Sequence, residues 1–277
     1  MQFETRTAPS ARLVVDPEYA DAAVSLGLAD AAGLDRRLAS ASGAGGRAGS
    51  ALLALPGGLR LHLRPVRHGG WLAPLWGDRL LGLGRPLREL EANAALRERG
   101  APVPRPVLVA GLRRGWLWSA AVGTLHEDDT RDGLAWIDAR PTRRALAAVA
   151  RAAARAVRRF HDAGGRHADL HLGNLLLRER PGGVEVLVID LDKARVGAAP
   201  DAARRMRELM RLYRSLAKRG AADAFGARGC ARFLHAYCGG DRALRSALLA
   251  RLPQERRRLS RHARSWRAPW ARSWRAP

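Results

Sequence analysis

Nine residues, Arg166 to Asn174 (RHADLHLGN), hold two histidines, an aspartate and an asparagine. Three readings compete: a metal site, a catalytic loop, and a polar turn between ordinary elements. Structural zinc needs a closed shell of nitrogen and sulfur donors. His161, His167 and His171 invite that reading, but no cysteine lies near them and they straddle a predicted helix end and a loop. Phosphoryl transfer asks for something else: a carboxylate to accept a hydroxyl proton, oxygen ligands for magnesium, and cations around the phosphates. The spacing His167-x-Asp169-x-x-x-x-Asn174, then Ile189-Asp190 after an apolar run, fits that list. Asp169 is the candidate base, and Asn174 and Asp190 are the candidate magnesium ligands.

The surrounding elements must position this set. Upstream, PTRRALAAVARAAARAVRRFHDAGG (141–165) opens with Pro141, carries an apolar stripe at Leu146, Val149, Ala153, Val157 and Phe160, and closes at Gly164-Gly165, which predicts a long helix. Downstream, NLLLRERPGGVEVLVIDLD (174–192) has two apolar runs around Pro181-Gly182-Gly183, a hairpin that would fold Asp190 back toward Asn174. After Pro200 the chain reads as helical.

Residues 1–120 read mainly as strands and turns around one helix. SALLALPGGLRLHLRPVR (50–67) is a predicted hairpin, RPLRELEANAALRERG (85–100) a predicted helix ending at Gly100, and 101–123 a loop leading into another hairpin. Between 42 and 50, SGAGGRAGS is too rich in glycine for a helix or a regular strand. The segment ARSWRAP occurs at 263–269 and again at 271–277, a short tandem repeat expected to have no fold of its own.

Composition sets the partners. Forty-nine basic residues against 26 acidic ones leave a formal charge of +23. Such a field favours a polyanion, an anionic membrane face or a phosphorylated substrate. Lys193 and Lys218 are the only lysines, so a GC-rich coding sequence would produce the same excess of arginine. Basic charge without a reading motif gives no expectation of nucleic acid as a partner. Cys230 and Cys238 are too few for a disulfide framework and suit a reducing cytosol. The amino terminus lacks the apolar core of a signal peptide, and no stretch approaches the roughly 20 apolar residues of a membrane helix.

FHDAGGRHADLHLGNLLL followed by VLVIDLDKAR resembles the protein-kinase-like superfamily. At finer grain it resembles the lipopolysaccharide core kinases that phosphorylate Kdo (3-deoxy-D-manno-octulosonic acid) or heptose. Upstream, LRPVRHGG (63–70), GDRLLGLGRPLRELEAN (77–93) and GAPVPRPV (100–107) are similar to blocks of the Kdo kinases, as is MRELMRLYRSLAK (206–218) downstream. The likeness spans roughly residues 40–220.

The resemblance implies an α+β, two-lobed protein-kinase-like fold: a β-rich N-lobe with one main helix, and a mostly helical C-lobe. The expected divisions are an N-terminal extension (1–35), the N-lobe (36–123), a hinge (124–132), the C-lobe (133–260) and an Arg/Trp-rich tail (261–277). It implies ATP and Mg2+ as cofactors, bound between the lobes. Glu89 becomes the helix glutamate paired with a phosphate-binding cation, a position held here by Arg64 where most kinases use lysine. Gly45, Gly46 and Gly49 become the loop that closes over the phosphates, and His167 props the catalytic loop.

Protein kinases place a lysine two residues after the catalytic aspartate and an Ala-Pro-Glu segment after the metal-binding one. His171 takes the first position, and only LDKARVGAAPDAAR follows Asp190 before the next helix, so the acceptor reads as a small molecule or a glycolipid. The leading expectation is an anionic Kdo–lipid A precursor, phosphorylated at the cytoplasmic face of the inner membrane by a peripheral enzyme. HADLHLGN also resembles the aminoglycoside and choline phosphotransferases, and a catalytically dead lipid-binding relative is a further alternative. Trp71 and Trp76, and Trp266, Trp270 and Trp274 among the tail's arginines, are candidate membrane contacts. The sequence gives no oligomeric state.

Overall fold

The computed structural model describes residues 1–43, 49–67 and 79–266. The chain divides into two compact units, Met1–Glu98 with Val103–Asp128, and Arg99–Pro102 with Asp129–Pro277. The boundary at Asp128–Asp129 falls inside the segment 124–132.

The first unit runs β1 (Glu4–Ala8), β2 (Ala11–Val15), α1 (Ala20–Ser25), α2 (Ala31–Gly43), β3 (Ala51–Ala54), β4 (Arg60–Pro65), α3 (Gly84–Glu98), β5 (Pro106–Arg114) and β6 (Leu117–Leu125). Its strands form one antiparallel sheet in the order β1-β2-β5-β6-β4-β3. Side chains alternate between the faces of a strand, and β5 is buried on both. Leu108, Ala110 and Leu112 face a core shared with Tyr19, Ala23, Leu34 and Leu38, whereas Val109 packs with Val122 of β6 and Leu90 of α3.

This unit is β-rich, as expected. Residues 1–35 fall in this unit and supply its edge strand β1, the adjoining β2, α1 and the start of α2. Helix α3 is its longest helix and packs on one face of the sheet; α1 and α2, on the other, are not legible in the sequence. The reason is local. Strand β1 buries none of its residues fully, and α2 (AAGLDRRLASASG) is mostly alanine, serine and glycine, so neither shows a strong period. The two hairpins fall where expected, β3–β4 joined through Pro56–Gly58 and β5–β6 through Gly115 at φ 64°.

The second unit runs β7 (Arg131–Asp132), α4 (Gly133–Asp138), α5 (Arg143–Asp162), β8 (Gly165–Arg166), β9 (Leu175–Arg180), β10 (Gly183–Val188), β11 (Arg195–Val196), α6 (Ala202–Lys218), α7 (Ala222–Cys238) and α8 (Arg242–Trp266). The Thr142 hydroxyl caps α5 by accepting the Ala145 N–H, and the whole predicted stripe of that helix is buried. Strands β10-β9-β7 form one small sheet and β11-β8 another. Helices α4 to α8 leave an apolar cavity of about 790 Å3, lined by Trp136, Val149, Leu209, Tyr213 and Phe233 among others. Helix α8 continues to Trp266, so the expected tail is helical in its first residues. Gly45, Gly46, Trp71, Trp76, Trp270 and Trp274 lie outside the described residues. Among the described residues no helix is long and apolar enough to cross a membrane.

Candidate active site

In the second unit the site is the connection from β8 to β9, closed by a single 3-10 turn (Leu172–Asn174). His167 is buried and fixes the loop through both ring nitrogens. The Asp169 N–H can only donate, so His167 Nδ1 accepts it at 3.1 Å. The ring hydrogen then sits on Nε2 and is donated to the Ile189 carbonyl at 3.0 Å. Asn174 is buried too, and its Nδ2 donates to the Asp169 carbonyl at 2.8 Å. The Ile189 N–H donates to the Asn174 carbonyl at 3.0 Å, which brings the end of β10 against the loop. The next residue, Asp190, has φ 60°, a left-handed conformation that aspartate adopts more readily than most residues. His167, Asp169, Asn174 and Asp190 are thus gathered by hydrogen bonds that each engage a main-chain group.

The Asp169 side chain is 71 % exposed, with the His171 Nε2 3.7 Å from its Oδ2. Its carboxylate is open to solvent while the backbone on both sides is tied down. The ties come from α6, where Glu208, Arg211 and Ser215 follow at helical spacings of three and four and share one face. Glu208 accepts the His167 N–H at 2.9 Å, Arg211 donates to the Ala168 carbonyl, and the Ser215 hydroxyl accepts the Leu172 N–H at 3.0 Å. Ser215 returns its own proton to the Leu212 carbonyl at 2.8 Å. The loop also depends on Gly133 at the start of α4, where an added Cβ would lie 2.5 Å from the Leu172 carbonyl oxygen.

Glu208 is fully buried. Burial alone would raise its pKa, but donors from His161, the His167 amide and Arg204 outweigh it and hold the carboxyl below its ordinary value. Sequence reasoning missed Glu208, Arg211 and Ser215. The signal was a glutamate bordering the buried stripe Met206, Leu209, Leu212 and Leu216.

In the first unit, β4 turns Leu61 and Leu63 into the core and sets Arg60, His62 and Arg64 on its opposite face. Arg64 forms an ion pair with Glu89 of α3, whose side chain is 8 % exposed. His62 beside it has its basicity lowered by burial, then by His126 and Arg64. The structure therefore joins Arg64 to Glu89 in one unit, and the four loop residues to one another in the other. Gly45 and Gly46 cannot be placed with either.

The sequence profile of the Lipopolysaccharide kinase (Kdo/WaaP) family matches residues 61–237. A 3-deoxy-D-manno-octulosonic acid kinase of Stenotrophomonas maltophilia (strain K279a) is 34% identical over 180 residues, covering 64% of this chain and 69% of that protein. One of Xanthomonas campestris pv. campestris (strain B100) is 33% identical over 188 residues, covering 63% and 68%. Among solved structures, WaaP in complex with acyl carrier protein superposes with a TM-score of 0.54 at 22% identity, covering 77% of this chain and 84% of that one, which bears on the fold and shows it to be kinase-like. With the profile spanning both the Arg64–Glu89 pair and the His167–Asp190 loop, the chain belongs to the lipopolysaccharide kinase (Kdo/WaaP) family.

Proposed function

We propose that this kinase transfers the γ-phosphate of ATP to a hydroxyl of Kdo on an anionic lipid A precursor, with magnesium, at the cytoplasmic face of the inner membrane. One observation carries the reading: Asp169 presents an exposed carboxylate on a backbone fixed by His167, Asn174 and α6. A general base must lie within hydrogen-bond reach of the proton it takes. As the acceptor oxygen attacks phosphorus and ADP departs, the Asp169 carboxylate takes the hydroxyl proton.

The donor set suits magnesium. Asn174 uses Nδ2 on the Asp169 carbonyl, which leaves Oδ1 as an oxygen ligand, and Asp190 adds a carboxylate. When bound, that ion neutralises charge on the phosphate oxygens. Arg64 grips phosphate through its planar fork, and Glu89 holds the guanidinium in place. The formal charge of +23 supports an anionic, membrane-borne acceptor, with each basic residue near such a surface contributing on the order of 1 kcal/mol.

The test offers labelled ATP and magnesium with Kdo–lipid A precursor beside an aminoglycoside, using the wild-type chain and Asp169→Asn. Label on the lipid is expected, reduced about 10²–10⁴-fold in the variant. Label on the aminoglycoside overturns the acceptor, and an unimpaired variant overturns the base.

We propose acyl carrier protein as a partner as well. The fold likeness carries no partner with it; what supports the proposal is this chain's own apolar cavity of about 790 Å3, within the roughly 300–1,000 Å3 typical of ligand sites. Carrier bearing a fatty acyl chain should co-elute with the kinase and bare carrier should not; equal behaviour of the two overturns it.

A further inference from the structure

His161 has no part in the chemistry described so far, yet it is one of the most buried polar side chains in the protein, at 0 % exposure. It lies on α5, and its two ring nitrogens reach two other helices. Nε2 is 3.2 Å from Oε2 of Glu208 on α6, and Nδ1 is 2.6 Å from the hydroxyl of Tyr237 on α7.

The proton positions follow from what each group can do. The Glu208 carboxylate only accepts, so His161 Nε2 carries hydrogen and donates. Burial lowers the basicity of the ring, so Nδ1 keeps its lone pair and accepts from the Tyr237 hydroxyl. That hydroxyl oxygen accepts in turn from Arg205 at 3.2 Å. Arg205 is itself fixed, donating to the Pro200 carbonyl and to Asp162 at 2.8 Å each. The remaining charged neighbours are Arg204, which donates to the other oxygen of Glu208, and Arg158, whose guanidinium lies 5.9 Å from the Tyr237 ring centroid. Every proton in the chain has one place.

The same Oε2 that takes the His161 hydrogen also takes the His167 N–H. His167 Nδ1 then receives the Asp169 N–H. A continuous path of hydrogen bonds therefore runs from Tyr237 through His161, Glu208 and His167 to the backbone of Asp169.

We propose that His161, oriented by Tyr237, is a positioning residue for phosphotransfer: it fixes the rotamer and the ionised state of Glu208, and through it the placement of Asp169. This rests on the phosphotransfer reading above. Arg64 and Glu89, the phosphate-gripping pair, lie on the other unit, so the path acts on turnover more than on nucleotide affinity.

The test compares His161→Leu, His161→Gln and Tyr237→Phe in the full chain, measuring kcat and KM for ATP as a function of pH, and amide hydrogen exchange across 166–174. His161→Leu should lower kcat on the order of tenfold to a hundredfold, the scale of a small misplacement of a reacting group, with KM for ATP changed far less than kcat. Its kcat should recover as pH rises, because a buried Glu208 that has lost a donor ionises only at higher pH. Tyr237→Phe should show a weaker version of the same split. His161→Gln should restore kcat, since an amide also offers one donor and one acceptor. Exchange at His167 and Asp169 should quicken in His161→Leu and Tyr237→Phe; this readout needs no acceptor, so it stands even if the wild type phosphorylates none of those offered and the acceptor reading falls. Unchanged kcat and exchange in both His161→Leu and Tyr237→Phe overturn the proposal. So does a loss shared equally by kcat, KM and thermal stability that His161→Gln fails to reverse. Should His161→Leu not fold, Tyr237→Phe decides alone.

Discussion

Glu208 offers a perturbation whose size follows from counting donors. Its two oxygens accept from the His167 N–H, the His161 Nε2–H and the Arg204 Nε–H. The first two donors are buried, whereas the Arg204 side chain is 40% exposed and can turn to water. Glu208→Leu therefore strands two buried donors. At about 1–3 kcal/mol for each buried group left without a partner, the cost is about 2–6 kcal/mol. That is a large share of the roughly 5–15 kcal/mol by which a domain is stable. Glu208→Gln keeps one oxygen for His167 and His161 and sets its NH2 against Arg204, which swings away. The cost then reduces to exchanging charge-assisted bonds for neutral ones, about 1–2 kcal/mol. Calorimetry on both variants, with kcat measured well below either melting point, checks the ordering. If Glu208→Leu lies within about 1 kcal/mol of wild type, or Glu208→Gln is as damaging as Glu208→Leu, donor counting is the wrong account of this residue.

Two further predictions rest on other features of the second unit and on the buried histidines. Gly133→Ala places a Cβ 2.5 Å from the Leu172 carbonyl oxygen, a backbone atom that cannot rotate away. The loop must shift, so kcat should fall while the melting free energy drops by about 1–3 kcal/mol, the usual cost of overpacking; equal activity would show that α4 does not brace the loop. Acid should destabilise the protein from near neutrality downward. Burial lowers the basicity of His161 and His62, so around pH 6.5 the unfolded chain binds protons that the folded chain refuses. Their contribution is fully present above that pH and is lost as pH falls through the lowered folded values. Glu208, held below its usual 4.5, extends the loss to lower pH. Melting temperature should be level above neutrality and decline toward pH 5, less steeply in His161→Gln; a level curve across that range would refute the neutral assignment of His161.

The parts of the fold visible in the sequence are those whose pattern is local. The stripe from Leu146 to Phe160 and the Pro-Gly-Gly turns at 56–58 and 181–183 each mark an element within a few residues. Strand β1 is different, because ETRTA is an outer strand that leaves no residue fully buried. Its place in the sheet is fixed by pairing with β2, and that of β2 by pairing with β5 nearly a hundred residues later. No window on residues 1–35 contains that partner, so the segment read as an appendage.

The site divides along the same line, for a chemical reason. The proposed base, metal ligands and phosphate-gripping cation call for particular residue types at particular spacings, which is why His167, Asp169, Asn174 and Asp190 stand out as letters. Their supports answer to main-chain groups, which every residue carries, and need only a donor or an acceptor in the right place. A glutamate serves the His167 amide, an arginine the Ala168 carbonyl and a serine the Leu172 amide. On a helix with Arg204, Arg205, Arg207, Arg211 and Arg214 around it, Glu208 reads as one more residue of a solvated face. It is buried because α5 brings His161 and the loop brings His167 to it from 47 and 41 residues away. The placement of Asp169 is therefore held by α6, a helix that follows it in the chain, and that dependence becomes legible only once the helix is folded against the loop.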